Sequence, residues 1–439
     1  QRQLHSQAMK TIAQIAAELQ GYDPHALPAE GVLDFLARLV TPVRESQSLG
    51  LFEALGKVLA HDVISPLNVP PHDNSAMDGY AFDGRQLQPG KALQLRVVGT
   101  AFAGKAWAGK AGIGECVKIM TGAIMPAGFD TVVPQEMVSF ADGNSDLIVI
   151  TPGVLAAGDN RRLRGEDVAL GHPALRRGQM ITPARLGLAA SLGLTTLPCF
   201  RALRVAYFST GDEILSLGQA PREGAIYDSN RYTVFGLLRR LGCEVIDMGV
   251  VKDKPGELEA AFRRAAAQAD AIITSGGVSV GEADYTKAMM KKLGDVAFWR
   301  IAMRPGRPMA VGRISASTGA EPGAVLFGLP GNPVAVMVTF LAFVRPALLQ
   351  MMGCTDKSAP LLKAHSQEAL RKKAGRTEYQ RGWVSSATDG SLQVRTTGNQ
   401  GSGVLSSMTE ANGLIVLHHG QGHVAAGELV DVMMFDGAI

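Results

Sequence analysis

Cysteine is scarce in this 439-residue chain, and the four cysteines lie far apart. Cys116, Cys199, Cys243 and Cys354 form no C-x-x-C pair. This spacing argues against a zinc site and fits a reducing cytoplasm. The net charge is only +3, which is too small to indicate nucleic acid or a membrane surface as a partner.

The sequence also lacks a long apolar run and a recognisable signal peptide. The longest largely apolar run in its C-terminal half, residues 334–344, is too short to span a bilayer and predicts a core helix. No basic segment precedes an apolar core at the N-terminus, so we expect a cytoplasmic location. Hydrophobic residues make up 46% and charged residues 19%, as in ordinary globular proteins, and the length predicts about three domains.

The N-terminal half predicts helices around a β-rich module. An apolar stripe through residues 4–19 predicts an N-terminal helix. Further helices are predicted over residues 31–44, 50–62 and 187–193. Between them, glycine-separated strands are predicted at residues 95–98, 116–120, 131–133 and 147–150.

From residue 203 onwards, short apolar strands alternate with helices. Strands are predicted at residues 203–209, 244–251, 271–274 and 325–329. Helices are predicted at residues 227–241, 255–268, 282–293 and 333–350. The alternation indicates right-handed βαβ units and therefore a doubly wound, mostly parallel sheet with helices on both faces. Residues 358–439 return to a strand pattern, which predicts a small β-barrel or sandwich.

The loops that follow the four strands all carry glycine or acid. They are residues 209–213 (STGDE), Asp253, residues 275–284 and residues 330–333 (PGNP). Ligands bind outside the carboxyl ends of such strands, so we expect these loops to meet at one edge of the sheet.

The third loop has the strongest signal for an anion. Its turn contains Ser275, Gly276, Gly277, Ser279 and Gly281. Glycines let the backbone approach a ligand closely, and the N-terminus of the following helix offers unpaired N–H groups. Asp284 lies in the first turn of that helix. The loop is neither G-x-G-x-x-G nor a P-loop, so neither a dinucleotide fold nor a nucleoside triphosphatase is implied.

Arginines between the third and fourth loops could balance an acidic edge. This segment contains Arg300, Arg304 and Arg307, and their planar guanidinium groups suit phosphate and other oxyanions. Carboxylates together with arginines indicate Mg²⁺ and a polyanionic substrate, because Mg²⁺ prefers carboxylate and phosphate oxygens. Ordinary surface salt bridges are the alternative interpretation.

Three earlier stretches carry polar residues without a decisive pattern. Asp73 and Asp78 lie in a segment rich in turn formers, and turns alone would explain them. Residues 120–123 (MTGA) end a strand with a hydroxyl and a glycine, which would suit a phosphate or pterin contact. Residues 161–168 (RRLRGEDV) are typical of a solvated loop.

Taken together, several long motifs in one order make the sequence resemble one family. They are DNSAMDGYA (73–81), MTGA (120–123), RRLRGEDV (161–168), STGDE (209–213), YDSNR (227–231), SGGVSVGEADYTK (275–287), RPGRP (304–308) and LPGNPVAV (329–336). The sequence resembles the molybdopterin molybdenumtransferases, the MoeA family that includes the E domain of gephyrin. The resemblance runs from about residue 31 to the C-terminus.

This resemblance implies a multidomain α/β and β fold. Its parts would be an N-terminal extension (1–25), a discontinuous helical domain (26–66 and 164–202), a β-rich inserted domain (67–163), a doubly wound α/β molybdopterin-binding domain (203–352) and a C-terminal β-barrel (358–439). It also implies a homodimer in which the α/β domain of one subunit and the β-rich domain of the other share each active site.

The implied reaction is insertion of molybdate into adenylylated molybdopterin, with Mg²⁺-dependent release of AMP. The catalytic residues would be Asp78, Glu213, Asp253 and Asp284, with Asp78 and Thr121 acting across the dimer. Glu213 and Asp284 would bind Mg²⁺ or position water. Molybdopterin adenylyltransferase and molybdoenzyme chaperones would be further partners.

The resemblance also assigns residues that contact substrate. They are Thr121, Asp167, the turn residues Ser275, Gly276, Gly277, Ser279 and Gly281, Arg300 and Arg304 for molybdate or phosphate, Asp228 and Asn230 on the nucleotide side, and Pro330, Gly331, Asn332 and Pro333. The family often has lysine where Arg300 and Arg304 stand. It often has histidines in a C-terminal loop where this chain has Asn399 and Gly403.

Two other functions remain as alternatives from the sequence. A molybdopterin adenylyltransferase would fit the α/β domain alone, although the β-rich insertion and the DNSAMDGYA motif favour the molybdenumtransferase. A non-enzymatic scaffold is the third reading, but nothing in the chain resembles the long linker of gephyrin.

Overall fold

The computed structural model of the chain describes residues 9–279, 285–320 and 323–436. Its centre is an α/β domain. In chain order the elements are β1 (Arg204–Thr210), α1 (Ser229–Leu241), β2 (Glu244–Val251), α2 (Pro255–Gln268), β3 (Ala271–Ser275), α3 (Tyr285–Leu293), β4 (Gly294–Arg300), β5 (Pro308–Ile314), β6 (Ala324–Leu329) and α4 (Pro333–Thr339). A two-stranded pair, Ile214–Leu215 with Ile226–Tyr227, lies between β1 and α1.

The six strands form one sheet in the order β2-β1-β3-β6-β5-β4. The first four strands in that order are parallel, which confirms the predicted doubly wound, mostly parallel sheet. The sequence did not predict β4 and β5, which run antiparallel at the sheet edge. Buried side chains alternate between the two faces, so Tyr207 packs on one side of the sheet and Phe208 on the other.

Helices cover both faces of this sheet. The helical residues Val234 and Leu238 of α1 share one core with Tyr207. Phe262 of α2 and Met290 of α3 pack with Phe208 on the opposite face. The apolar side of each helix packs on the sheet, so the domain has three layers, helix, sheet and helix, as βαβ units require.

One helical segment continues from α4 to Met351. It comprises α4, a π-helical turn (Phe340–Val344) and a last helix (Arg345–Met351), and so is longer than the predicted apolar run. By length and composition it could cross a membrane, with a mean hydropathy of 1.8, but 72% of its most apolar window is buried inside the protein. The segment is therefore a buried core helix, as predicted.

The N-terminal half combines short helices with small strand pairs. The helices are Ile12–Glu18, Ala29–Leu39, Leu51–Ala54 and Pro183–Ser191. The strand pairs are Ser46–Gly50 with Thr196–Phe200, Val63–Ile64 with Pro173–Leu175, and Asn74–Ser75 with Arg161–Arg162. The predicted helix over residues 50–62 is wrong: Gly56 adopts a φ of +74°, and Val58 and Leu59 then form β-bridges.

A six-stranded sheet forms the β-rich module. Its strands are Gly79–Phe82, Leu93–Ala101, Glu115–Ile119, Thr131–Pro134, Val138–Phe140 and Leu147–Ile150. Three short 3₁₀ turns join them, at Gly84–Gln86, Gln135–Met137 and Ala141–Gly143. The β-rich inserted module predicted from the glycine-separated strands is therefore confirmed.

The C-terminal strands close into a five-stranded barrel. They are Leu362–Ser366, Thr377–Ser386, Leu392–Thr396, Gly413–Leu417 and Leu429–Met434, with a short helix at Ser406–Thr409. Thr377–Ser386 pairs with both the third and the fourth strand, which completes the ring. The segment Met303–Arg304 of the α/β domain pairs with Thr377 and Glu378, and this contact places barrel loops beside the carboxyl edge of the sheet.

Candidate active site

A cavity of about 980 Å³ lies at the carboxyl edge of the parallel strands. The loops after β1, β2, β3 and β6 all contribute to its wall, together with the start of α1, the segment between β4 and β5, and the barrel. The four loops that were expected to meet at one edge of the sheet therefore do meet there. Such an edge is where open α/β sheets bind ligands.

Most of the sequence-predicted residues of this domain line the cavity. They are Glu213, Asp228, Asn230, Asp253, Ser275, Gly276, Gly277, Ser279, Arg304, Pro330, Gly331 and Asn332. Arg300 and Pro333 are not part of the wall. Asp284 and Gly281 lie outside the described residues.

The two glycines of the turn after β3 are required because the loops after β1 and β3 pack closely together. Gly276 has a φ of +87°, and a Cβ there would lie 2.5 Å from the carbonyl oxygen of Thr210. Gly277 has a φ of +71°, and its Cβ would meet the side chain of Thr286 at 2.7 Å. A larger residue would thus separate the loops after β1 and β3, which both line the cavity.

A row of buried hydroxyl groups lies beneath this turn. The hydroxyl of Tyr207 is 2.7 Å from Ser209 Oγ and 2.7 Å from Ser275 Oγ. Ser209 donates to Asp228 Oδ1 over 2.8 Å. Burial raises the pKa of Tyr207 and also that of Asp228, although the hydrogen bond from Ser209 opposes the second shift.

Several buried polar atoms of the cavity wall have no hydrogen-bond partner among the described residues. They are Thr210 Oγ1, Asp228 Oδ2 and Asn230 Oδ1. Asn230 is held in place by donating to the carbonyl of Gly331 over 2.8 Å. Buried polar groups are normally paired, so these atoms indicate a site that binds polar ligand atoms or water.

Arginines form the opposite, basic part of the wall. Arg304, Arg307 and Arg376 all line the cavity. Arg376 pairs with Glu378 over 2.8 Å, whereas Arg304 and Arg307 form no salt bridge within the described part of the chain. Arg300 is the last residue of β4, where its backbone bonds to Pro24 and Leu27 instead. Two guanidinium groups therefore remain available for an oxyanion.

The barrel contributes the loop Gln400–Gly401–Ser402, which is held by a buried arginine. Arg381 is 0% exposed and donates from Nη2 to the Gly401 carbonyl (3.1 Å) and from Nε to Ser407 Oγ (3.0 Å). Burial, together with nearby Arg304, lowers the pKa of Arg381 to about 10. Arg381 could not be recognised from the sequence, because a single arginine in a strand carries no positional signal.

This barrel loop also contacts the α/β domain directly. Asn332 Nδ2 donates to Ser402 Oγ over 2.9 Å, and the N–H of Val334 donates to the Ser402 carbonyl over 3.1 Å. Both contacts lie at the start of α4. The barrel loop and the loop after β6 therefore form one continuous part of the cavity wall.

Asp78 and Thr121 form a second polar cluster, in the β-rich module. The backbone N–H and the hydroxyl of Thr121 both donate to Asp78 Oδ1, each over 2.7 Å, and these bonds lower the pKa of Asp78. Nearby, Asp73 accepts from the N–H of Arg164, and the N–H of Asp167 donates to the Val69 carbonyl. Asp78, Thr121 and Asp167 do not line the cavity of their own chain.

Oxygen atoms dominate the possible metal ligands of the cavity. Glu213 and Asp253 supply carboxylates there. Within the described ranges, no group of three or more His, Cys, Asp or Glu side chains is arranged to hold a metal ion. An ion that binds one or two carboxylates and completes its shell with substrate phosphates and water, as Mg²⁺ does, fits this donor set.

Comparison with known proteins identifies the family. Residues 27–193 match the MoeA N-terminal region (domain I and II), residues 206–350 a probable molybdopterin binding domain, and residues 363–435 the MoeA C-terminal region (domain IV). A molybdopterin molybdenumtransferase of Haemophilus influenzae is 42% identical over 393 residues, which cover 89% of this chain and 94% of the relative. The chain belongs to the MoeA family.

Other relatives extend this assignment. A molybdopterin molybdenumtransferase of Nostoc sp. is 35% identical over 396 residues, 89% of each chain. The solved structure of the molybdopterin biosynthesis moeA protein of Pyrococcus horikoshii matches with a TM-score of 0.76 and 26% identity, covering 93% of this chain and 100% of that one. The MoeA family resemblance stated from the motifs is confirmed, as is the multidomain fold class. Residues 9–26 precede the matched regions.

Proposed function

We propose that this MoeA family member is a molybdopterin molybdenumtransferase, which inserts molybdate into adenylylated molybdopterin and releases AMP. The observation that carries the proposal is the cavity itself. A glycine turn and carboxylates at the strand ends face, across one cavity, two arginines that have no salt bridge among the described residues. A nucleotide-pterin and a metal oxyanion together present the charges that such a wall would bind.

The phosphate groups of the substrate would lie on the turn after β3. Gly276 and Gly277 expose their backbone there, and Ser275 and Ser279 add hydroxyl groups. Asp228, Asn230 and the loop Pro330–Gly331–Asn332 would contact the nucleotide side. Asp253 and Asp284 would act on the water or leaving group during AMP release; a carboxylate can hold and orient water by accepting its hydrogen atoms.

Molybdate would bind as a substrate on the basic side of the cavity. Arg304 and Arg307 have no carboxylate partner in the described structure, and a planar guanidinium group can donate two parallel hydrogen bonds to an oxyanion. Arg376 and Ser402 border the same region. The structure supports Arg304 in this role better than Arg300, which lies outside the cavity wall.

Mg²⁺ would be held by Glu213 together with Asp284. When bound, the ion would offset negative charge on the phosphoanhydride that is cleaved. Two carboxylates would suffice, because Mg²⁺ commonly uses only one or two protein carboxylates and completes its shell with phosphate oxygens and water.

The protein would act as a cytoplasmic homodimer with shared sites. Asp78 and Thr121, with Asp167 nearby, would face the cavity of the partner subunit, where an ionised Asp78 could position a donor group of the substrate. The lowered pKa of Asp78 keeps it charged at neutral pH. Molybdopterin adenylyltransferase and molybdoenzyme chaperones would be its neighbours in the pathway.

The deciding experiment is AMP release from adenylylated molybdopterin. The wild type should release AMP only when molybdate and Mg²⁺ are both supplied. Arg304→Ala should raise the KM for molybdate by roughly tenfold or more, since a hydrogen bond to a charged group contributes about 1.5–3 kcal/mol. Arg239→Ala, an exposed arginine at the end of α1 outside the cavity wall, is the matched control.

Two outcomes would contradict the proposal. If the wild type formed adenylylated molybdopterin from nucleoside triphosphate but released no AMP from it, the adenylyltransferase reading would replace this one. Mixing Asp78→Ala with Glu213→Ala subunits tests the shared site: heterodimers should recover one intact cavity, and no recovery would argue against sharing.

A further inference from the structure

The buried hydroxyl row beneath the glycine turn connects a carboxyl group to the cavity. It runs from Asp228 through Ser209 and Tyr207 to Ser275, with contacts of 2.8, 2.7 and 2.7 Å. Tyr207 is 1% exposed, Ser209 2%, Ser275 3% and Asp228 3%. Because parallel pairing places Ser209 opposite Ser275, strand register alone brings the two serines to one tyrosine.

The number of hydrogen atoms fixes the direction of this row. Each hydroxyl group has one hydrogen to donate. When Asp228 is ionised, Ser209 must donate to it, so Tyr207 must donate to Ser209 and Ser275 to Tyr207. Ser209 Oγ also lies 3.4 Å from Ser275 Oγ, a longer and weaker contact than the other three. This is the only arrangement with one hydrogen in each of the three short contacts, and it leaves Ser275 without a hydrogen for the cavity.

Protonation of Asp228 reverses the row. A proton on Oδ1 has Ser209 as its acceptor, whereas Oδ2 has no partner among the described residues. Ser209 then donates to Tyr207, Tyr207 to Ser275, and Ser275 to a group in the cavity. The three hydroxyl groups only rotate; the one proton gained comes from solvent and stays on the Asp228 carboxyl.

We propose that Tyr207 is a positioning residue that couples Asp228 to Ser275, so that a phosphate oxygen accepting from Ser275 binds with uptake of one proton. The inference rests on the proposed function, because it takes the phosphate of a nucleotide as the group that faces Ser275. It adds a residue outside the motifs and a proton linkage to that site.

Charged groups on two neighbouring elements act on Asp228, and others line the same cavity. Arg231 of α1 donates its backbone N–H to Asp228 and favours the ionised form, whereas Asp247 of β2 favours the protonated form. Glu213 and Asp253 line the same cavity. Burial is the largest influence and raises the pKa of Asp228, so the carboxyl group can take up a proton nearer neutrality than an exposed aspartate.

The sign of the pH dependence follows from this coupling. If binding favours protonated Asp228, its pKa is higher in the complex than in the free protein. Affinity is then full below the pKa of the free protein and falls as pH rises through the interval up to the pKa of the complex, by at most about tenfold per pH unit.

The test is calorimetric titration with the methyl ester of AMP, whose single phosphate charge does not change across the neutral range. Buffers with different ionisation enthalpies report proton uptake. The wild type should take up a proton and bind more tightly as pH falls. Tyr207→Phe keeps the ring but removes both short contacts and leaves only the 3.4 Å contact between Ser209 and Ser275, so it should lose proton uptake and roughly tenfold affinity at low pH. Ser209→Ala should lose proton uptake and low-pH affinity in the same way as Tyr207→Phe.

The matched control is Tyr80→Phe, which removes another buried phenol hydroxyl outside the cavity wall and should keep the wild-type pH dependence. Asp228→Asn should bind independently of pH. Wild-type binding without proton uptake, or uptake retained in Tyr207→Phe, would overturn the coupling while leaving the proposed function intact. Failure of the wild type to bind the ester at any pH would overturn both.

Discussion

Replacing Gly276 by alanine tests whether the two loops at the cavity depend on their close contact. The residue has a φ of +87°, and a new Cβ would lie 2.5 Å from the Thr210 carbonyl oxygen. A side chain in this backbone region costs on the order of 1 kcal/mol. The overlap with a backbone atom adds roughly 1–3 kcal/mol. We therefore expect a total loss of about 2–4 kcal/mol in unfolding free energy.

Gly218→Ala separates these two contributions. Gly218 belongs to the same α/β domain and has the same φ of +87°, but nothing lies within 4 Å of a Cβ placed there. Its substitution should therefore cost only the conformational part, about 1 kcal/mol. The difference between the two variants measures the packing between the loops after β1 and β3.

Urea unfolding followed by Trp299 fluorescence is the appropriate assay. Trp299 is buried on β4 in the same sheet, and Trp107 and Trp383 are replaced by phenylalanine in the background so that the signal reports this domain. AMP release by the same variants would then show whether the shifted turn also weakens nucleotide binding. If Gly276→Ala is no less stable than Gly218→Ala, the loops do not depend on this contact and the reasoning fails.

Two further predictions concern charged groups. Asp270 accepts hydrogen bonds from both Nη atoms of Arg201 and from the N–H of Arg204, each over 2.8 Å. Burial alone would raise the pKa of Asp270, but these bonds outweigh it and lower the value. The stabilisation is thus present at neutral pH and lost as pH falls below the ordinary aspartate range. Asp270→Asn should cost roughly 2–3 kcal/mol at neutral pH, and the difference should shrink in acid; a difference that stayed constant with pH would contradict the assignment. Arg381→Lys should raise the KM for molybdate several-fold with little change in kcat, because lysine lacks the fork that reaches both Gly401 and Ser407. It should also lower thermal stability, since Arg381 is fully buried and a partner would be left unsatisfied; an unchanged KM would mean that the barrel loop holds its place without Arg381.

Local patterns were sufficient to predict where the strand loops meet. The apolar strands at β1, β2, β3 and β6 alternate with helices, and parallel connections must bring their carboxyl ends to one edge. This is why Glu213 and Asp253, forty residues apart, could be placed in one site from the sequence. The α/β class and the β-rich module follow from periodicity alone.

Local patterns could not show which arginines of residues 300–307 line the cavity. Arg300 and Arg304 are equivalent as sequence signals, four positions apart. Only the fold distinguishes them, because Arg300 ends the edge strand β4 whereas Arg304 pairs beside the barrel strand at Glu378 and lines the cavity. The β4–β5 pair was not predicted, because the segment around these arginines was interpreted only as a source of positive charge and given no secondary structure.

The sequence by itself determined the four parallel strands and the helices between them, the loops that carry chemistry and, through its motifs, the MoeA family. The tertiary structure decided which side chains actually meet. Tyr207 joins Ser209 to Ser275 only because β1 and β3 pair in one register, and Arg381 reaches the cavity loop only because the barrel closes around it. Periodicity reports which face of an element is buried, but contacts between distant elements depend on register and packing, which no local pattern encodes.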